Sequence, residues 1–87
     1  MDPKPIIEEL KRKGYKNIYT WCDPPGTFYD WHMHSEDEIR VVYKGSIVIG
    51  TKEGIYELKE GDSLEIKAGT LHWAKTESGV CYVCGSK

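Results

Sequence analysis

The chain has three histidines, and their spacing suits them to act together. His32 and His34 stand two residues apart, Glu38 follows four residues later, and His72 lies well downstream in Gly-Thr-Leu-His-Trp-Ala. On an extended strand alternate side chains share a face, so His32 and His34 point the same way. Glu38 keeps that parity if the intervening Ser-Glu-Asp forms a kink or bulge. Two imidazoles and a carboxylate make three corners of a metal site, and His72 from another strand supplies the fourth. Such a nitrogen and oxygen set suits one divalent transition metal: imidazole favours Zn, Cu, Fe or Ni, and carboxylate adds Mn. Structural zinc sites are typically closed tetrahedra rich in cysteine. A site with His32, His34, Glu38 and His72 on a five- or six-coordinate ion instead keeps positions open for water, O2 or a bidentate substrate.

Two further residues share this face and are candidate catalytic groups. Arg40 lies one pleat beyond Glu38, where a guanidinium can clamp a substrate carboxylate or phosphate bidentately. Asp30 has the parity of His32 and is placed to orient an imidazole through its other N–H, or to serve as a general base. Phe28 and Val42 are expected to pave the pocket, and Ala74 and Thr76 to leave it room. Trp31 and Trp73 adjoin metal histidines, point to the opposite face, and read with Trp21 as packing or interface anchors. Cys81-Tyr-Val-Cys84 resembles a redox pair, but on a strand positions three apart face opposite ways, and no helix follows to activate a thiol.

These residues need strands to hold them. Residues 3–14 form the single convincing helix, with Ile6, Ile7 and Leu10 on one side, prolines at its start, and Lys11 to Lys13 before a Gly14 stop. From Tyr15 onward short β-type runs alternate with turns at Asp23-Pro-Pro-Gly, Lys44-Gly45, Lys52-Glu-Gly, Glu60-Gly-Asp, Ala68-Gly69 and Glu77-Ser-Gly. About eight strands at this spacing indicate a sandwich or barrel. Outward-facing Trp31, Met33, Ile39, Val41 and Tyr43 require a cover, from the helix or from a second copy, and a homodimer is expected.

Bulk properties narrow the field. Eighty-seven residues make one small domain with a thin core, which a metal or a second subunit would help. The net charge of −2 comes from mixed charges without a basic stripe, which argues against nucleic acid as a partner. No apolar run reaches membrane-spanning length and no signal peptide is visible, so no membrane partner and a cytoplasmic location are expected. Three cysteines are an odd set for a secreted scaffold and read as reduced thiols, with Cys22 a small buried hydrophobe.

Gly26, five residues, His32-x-His34, three residues, Glu38, six residues and Gly45 resemble the first motif of the cupin family at every defining position. Gly61, Gly69 and His72 are similar to the glycines and histidine of its second motif, 15 residues further on, the short spacing of minimal single-domain cupins. Two positions depart: Lys67 stands where a proline is expected, and Thr76 where an asparagine is expected. The resemblance covers roughly residues 18–84. It implies an all-β, cupin-type jelly-roll barrel over residues 18–87, with a helix and lead-in over 1–17, and a metal held in one mouth. It also implies a choice among dioxygenases, isomerases, epimerases, decarboxylases and proteins without known turnover. The reading carried forward is a metal-dependent enzyme acting on a small polar or anionic molecule, dioxygenase-like first. The alternative is a non-catalytic module that binds or senses a small ligand or metal.

Overall fold

The computed structural model describes all 87 residues, Met1–Lys87. Its elements are α1 (Lys4–Arg12), β1 (Lys16–Asp23), β2 (Phe28–His32), β3 (Glu38–Thr51), β4 (Gly54–Lys59), β5 (Ser63–Ile66), β6 (His72–Lys75) and β7 (Val80–Ser86). Every strand pairing is antiparallel. The first half of β3 pairs with β5 and β7, and β7 continues to β1. Its second half pairs with β4 and β6, and β6 continues to β2. One long strand thus serves two sheets, which curl into the jelly-roll-like half-barrel of the cupin fold. The core between them includes Val42, Ile47, Ile49, Leu58, Ile66 and Val80.

Lys44-Gly45 is therefore not a turn, and the strands number seven, not eight. The register of β3 against β7 shifts between Val42 and Lys44, and Gly45 follows with φ +72°. A β-carbon there would sit 2.2 Å from the Gly79 carbonyl oxygen. A bulge and a glycine let a strand bend from one sheet into another without ending. Gly50 works by close approach instead: the Trp73 ring lies flush on its backbone, and an added β-carbon would meet Trp73 Cε2 at 2.1 Å. Gly50→Ala is expected to cost about 1–3 kcal/mol through overpacking, measured by denaturant unfolding; an unchanged midpoint would contradict this packing.

α1 ends as its sequence indicates. Tyr15 N–H donates to the Leu10 carbonyl at 3.0 Å and Gly14 N–H to that of Lys11 at 3.0 Å, with Gly14 at φ +86°. This is the Schellman arrangement that glycine favours. Leu10 is the buried residue of the helix, and Pro5, Ile6 and Leu10 share a shallow groove with Ile39 and Val41. The helix thus covers part of the outward apolar face, while Trp31 and Met33 remain about half exposed.

The cysteine expectation needs correction. Cys22 and Cys81 face each other across β1 and β7 and form a disulfide, so Cys22 is neither reduced nor a buried hydrophobe. Cys84 is free and buried in the core. Disulfides persist in oxidising compartments and are usually reduced in the cytoplasm, so this bond and a cytoplasmic location pull in opposite directions. No helix is long and apolar enough to cross a membrane.

Candidate metal centre

Three strand ends bring the imidazoles together. His32 closes β2 and pairs in register with His72, which opens β6; His72 in turn pairs with Thr51 at the end of β3. His34 lies two residues beyond β2, in a connection held by the Gly69 N–H, which donates to the His34 carbonyl at 2.9 Å. The ring centroids lie 4.2 Å apart for His32 and His72, 5.0 Å for His32 and His34, and 5.1 Å for His34 and His72. One ligand atom from each of the three falls within 4.8 Å of the others.

The orientation of the rings suits a cation. His32 Nδ1 lies 2.6 Å from the Asp30 main-chain carbonyl, and His72 Nδ1 lies 2.9 Å from that of Thr70. A carbonyl only accepts, so Nδ1 carries the proton in both rings and Nε2 keeps its lone pair. His34 Nε2 and His72 Nε2 are buried with no hydrogen-bond partner. Burial holds both imidazoles below the ordinary histidine pKa, with Glu38 opposing this at His34 and the Thr70 carbonyl opposing it at His72. Neutral imidazoles with orphaned buried nitrogens are costly alone, and a divalent cation would satisfy them. The residues present therefore fit a metal.

The other sequence candidates divide. Glu38 lies outside the three-imidazole cluster. Its Oε2 is 3.5 Å from His34 Nδ1 and its Oε1 is 3.5 Å from Arg40 Nη1. Arg40 lines the same cavity as the histidines, and its Nη1 is buried without hydrogen-bond geometry to any partner. Asp30 does not line that cavity: its side chain is exposed and accepts from the Trp31 N–H at 2.8 Å. The main chain of Asp30, not its carboxylate, orients His32. Ala74 lines the cavity as expected. Phe28 does not and is 58% exposed, because the register of β2 against β6 shifts between Tyr29 and His32 and inverts the parity. Tyr29 takes its place on the cavity wall. Val42 is fully buried in the core, off the cavity.

The two motif departures have local explanations. Lys67 Nζ bridges Asp37 Oδ2 at 3.6 Å and Glu65 Oε1 at 3.2 Å, and Asp37 Oδ1 accepts from the Ala68 N–H at 2.8 Å. These contacts tie the connection bearing His34 to the one before His72. Thr76 is buried away from the cavity; its Oγ1 donates to the Ser46 carbonyl at 2.7 Å and accepts from the Gly79 N–H at 2.9 Å. Thr76→Val removes both bonds while keeping the shape, and is expected to cost about 1–3 kcal/mol in a denaturant titration; a shift too small to resolve would contradict that role.

One group was not legible as a site. Asp23, which the sequence places in a turn, is 6% exposed. Its Oδ1 accepts from Trp21 Nε1 at 2.9 Å and Tyr29 O–H at 2.5 Å, and its Oδ2 from Tyr82 O–H at 2.9 Å. Burial and this hydrogen bonding raise both phenols above the ordinary tyrosine pKa, so they remain donors. Burial chiefly pushes Tyr19 up to about 12. Strand parity across Tyr19, Trp21 and Asp23, together with Tyr82 opposite Trp21, was the signal available. With the histidines and Arg40, these aromatics enclose a cavity of about 390 Å³.

A curled β-shell with imidazoles gathered at a cavity defines a jelly roll with a candidate metal site. Residues 19–84 match the cupin domain family, and the chain belongs to it. The chain is 35% identical over 81 residues to acireductone dioxygenase of Pseudomonas paraeruginosa, covering 77% of this chain and 45% of that protein. It thus spans about half the length of the curated relatives it matches. Among solved structures, a cupin-like protein of Thermotoga maritima superposes with a TM-score of 0.74 at 22% identity, covering 90% of this chain and 62% of the other. The DMSP lyase DddQ of Ruegeria pomeroyi superposes with a TM-score of 0.75 at 21% identity, covering 80% and 36%. At these identities the structural matches speak for the fold alone.

Proposed function

We propose that this cupin is a metal-dependent enzyme acting on a small anionic molecule, with a dioxygenase-like oxidation as the first reaction to test. The observation that carries the reading is the convergence of His32, His34 and His72 within 4.8 Å in a cavity that also holds Arg40. These three residues would hold one divalent ion among Fe, Mn, Zn, Ni and Cu, and Glu38, beside His34, would complete the set by exchanging Arg40 for the ion. Bound there, the ion supplies Lewis acidity and open positions for O2 or a chelating substrate. The carbonyls of Asp30 and Thr70 keep His32 and His72 turned toward it. Arg40, released from Glu38, holds the substrate's anionic group through Nη1. The acireductone dioxygenase relatives support an oxidation. Exposed Phe28, Trp31 and Met33 support a homodimer.

The test is O2 uptake by Fe-, Mn-, Ni- and Zn-loaded protein over a panel of small carboxylates and enediols. Turnover with at least one metal is expected, and Arg40→Gln should raise KM about 10–100-fold, the loss of a charge-assisted hydrogen bond. A metal-loaded protein inert across the panel would overturn the enzymatic reading. One observation favours the non-catalytic alternative: the carboxylate beside the imidazoles, Glu38, is already held between His34 and Arg40, so no free general base stands there.

A further inference from the structure

The cavity contains more information about its ligand than the metal ligands do. It holds about 390 Å³, at the small end of ligand pockets, which run from roughly 300 to 1,000 Å³. Four of its walls are aromatic: Tyr19, Trp21, Tyr29 and Tyr82. Three of those four carry a polar atom that is already engaged. Trp21 Nε1, Tyr29 O–H and Tyr82 O–H all donate to the buried Asp23 carboxyl group, at 2.9, 2.5 and 2.9 Å. Asp23 itself does not line the cavity. It acts from behind the wall, taking up the donors and fixing the rings.

This arrangement sorts ligands by chemistry. A hydroxyl group on the body of a ligand finds no free donor among these three rings, because each would have to abandon Asp23 to supply one. Its oxygen lone pairs lose water without a donor from these three rings, although its own proton can still go to a phenol oxygen. A flat unsaturated body instead meets ring faces and edges and the aliphatic walls of Ile47, Ile49 and Ala74. Arg40, whose Nη1 faces Glu38 Oε1 at 3.5 Å without hydrogen-bond geometry, is set to meet an anionic head, and the lone pairs of His34 Nε2 and His72 Nε2 would face that head across a bound cation. The Arg40 guanidinium stands 5.9 Å from the centre of the Tyr82 ring, so the head and the aromatic wall adjoin.

We infer that the ligand class is a small carboxylate with a flat, conjugated or aromatic body, and that Asp23 is the positioning residue that keeps the wall closed to polyhydroxylated acids. This rests on the proposal above that the cavity is the working site. Calorimetric titration of Zn-loaded and metal-free protein with cinnamate, cinnamamide and gluconate tests it. Cinnamate is expected to bind at least about tenfold more tightly than gluconate, the cost of burying unpartnered hydroxyls, and similarly more tightly than uncharged cinnamamide. Asp23→Asn, which frees donors in the wall, should shrink the cinnamate-to-gluconate ratio, a change that general loosening of the fold would not produce. The wild-type ratio decides the matter even if that variant folds poorly. Gluconate binding as tightly as cinnamate, or no probe binding to protein that holds zinc, overturns the inference and leaves the metal centre standing. Failure to hold zinc overturns the metal reading, and the cinnamate preference of the metal-free protein then still decides this one.

Discussion

Replacing His32 and His34 together with alanine lowers zinc affinity by more than about 100-fold while the protein still folds. Loss of one outer-shell partner already costs about 10–100-fold at metal sites, and this change removes two of the three imidazoles whose ligand atoms lie within 4.8 Å of one another. The fold should survive because both residues are partly exposed, whereas His72 is 1% exposed and its loss would open a void. Removing two closely set, partly desolvated imidazoles also relieves a cost to the metal-free protein. Competition with a chromophoric chelator measures the affinity, and thermal unfolding of the metal-free variant checks the fold. Unchanged affinity in a folded variant would place any metal elsewhere.

The second large effect concerns stability. The Cys22–Cys81 bond closes a separation of 59 residues, for which the chain-entropy relation gives about 4 kcal/mol. Small domains have only about 5–15 kcal/mol in total, so reduction should remove much of the stability of this one. In melting temperature that is a fall of roughly 15–30 °C for a domain of this size. The bond lies between Trp21 and Asp23 on β1 and beside Tyr82 on β7, so its loss also loosens the strands that carry the aromatic wall. Thermal melts with and without reductant, with thiols counted by alkylation and mass spectrometry, give the result. An unchanged melting temperature in fully reduced protein would contradict it.

The gathering of the three imidazoles was legible because its signals are local. The pair His32 and His34, the glycines around it and a lone downstream histidine are readable as spacing, and the backbone then brings them together through one register, His32 against His72. The helix was equally plain, since Gly14 marks its end in sequence and in structure alike. What escaped depends on irregularities or on long-range pairing. Gly45 has the composition of a turn residue and acts as a corner within a continuous strand. The irregularity between Tyr29 and His32 adds no unusual residue, yet it exchanges Tyr29 for Phe28 at the cavity and leaves Asp30 outside. Cys22 and Cys81 meet only once β1 lies beside β7, and cysteine counting cannot supply connectivity. Asp23 read as a turn former because its three donors come from residues 21, 29 and 82, which no local window contains.

The most direct measurement is X-ray absorption at the metal edge of protein loaded with one equivalent of zinc. The account predicts at least three imidazole nitrogens at about 2.0–2.1 Å and no sulfur. A shell containing sulfur at about 2.3 Å, or one without the imidazole signature, would contradict it.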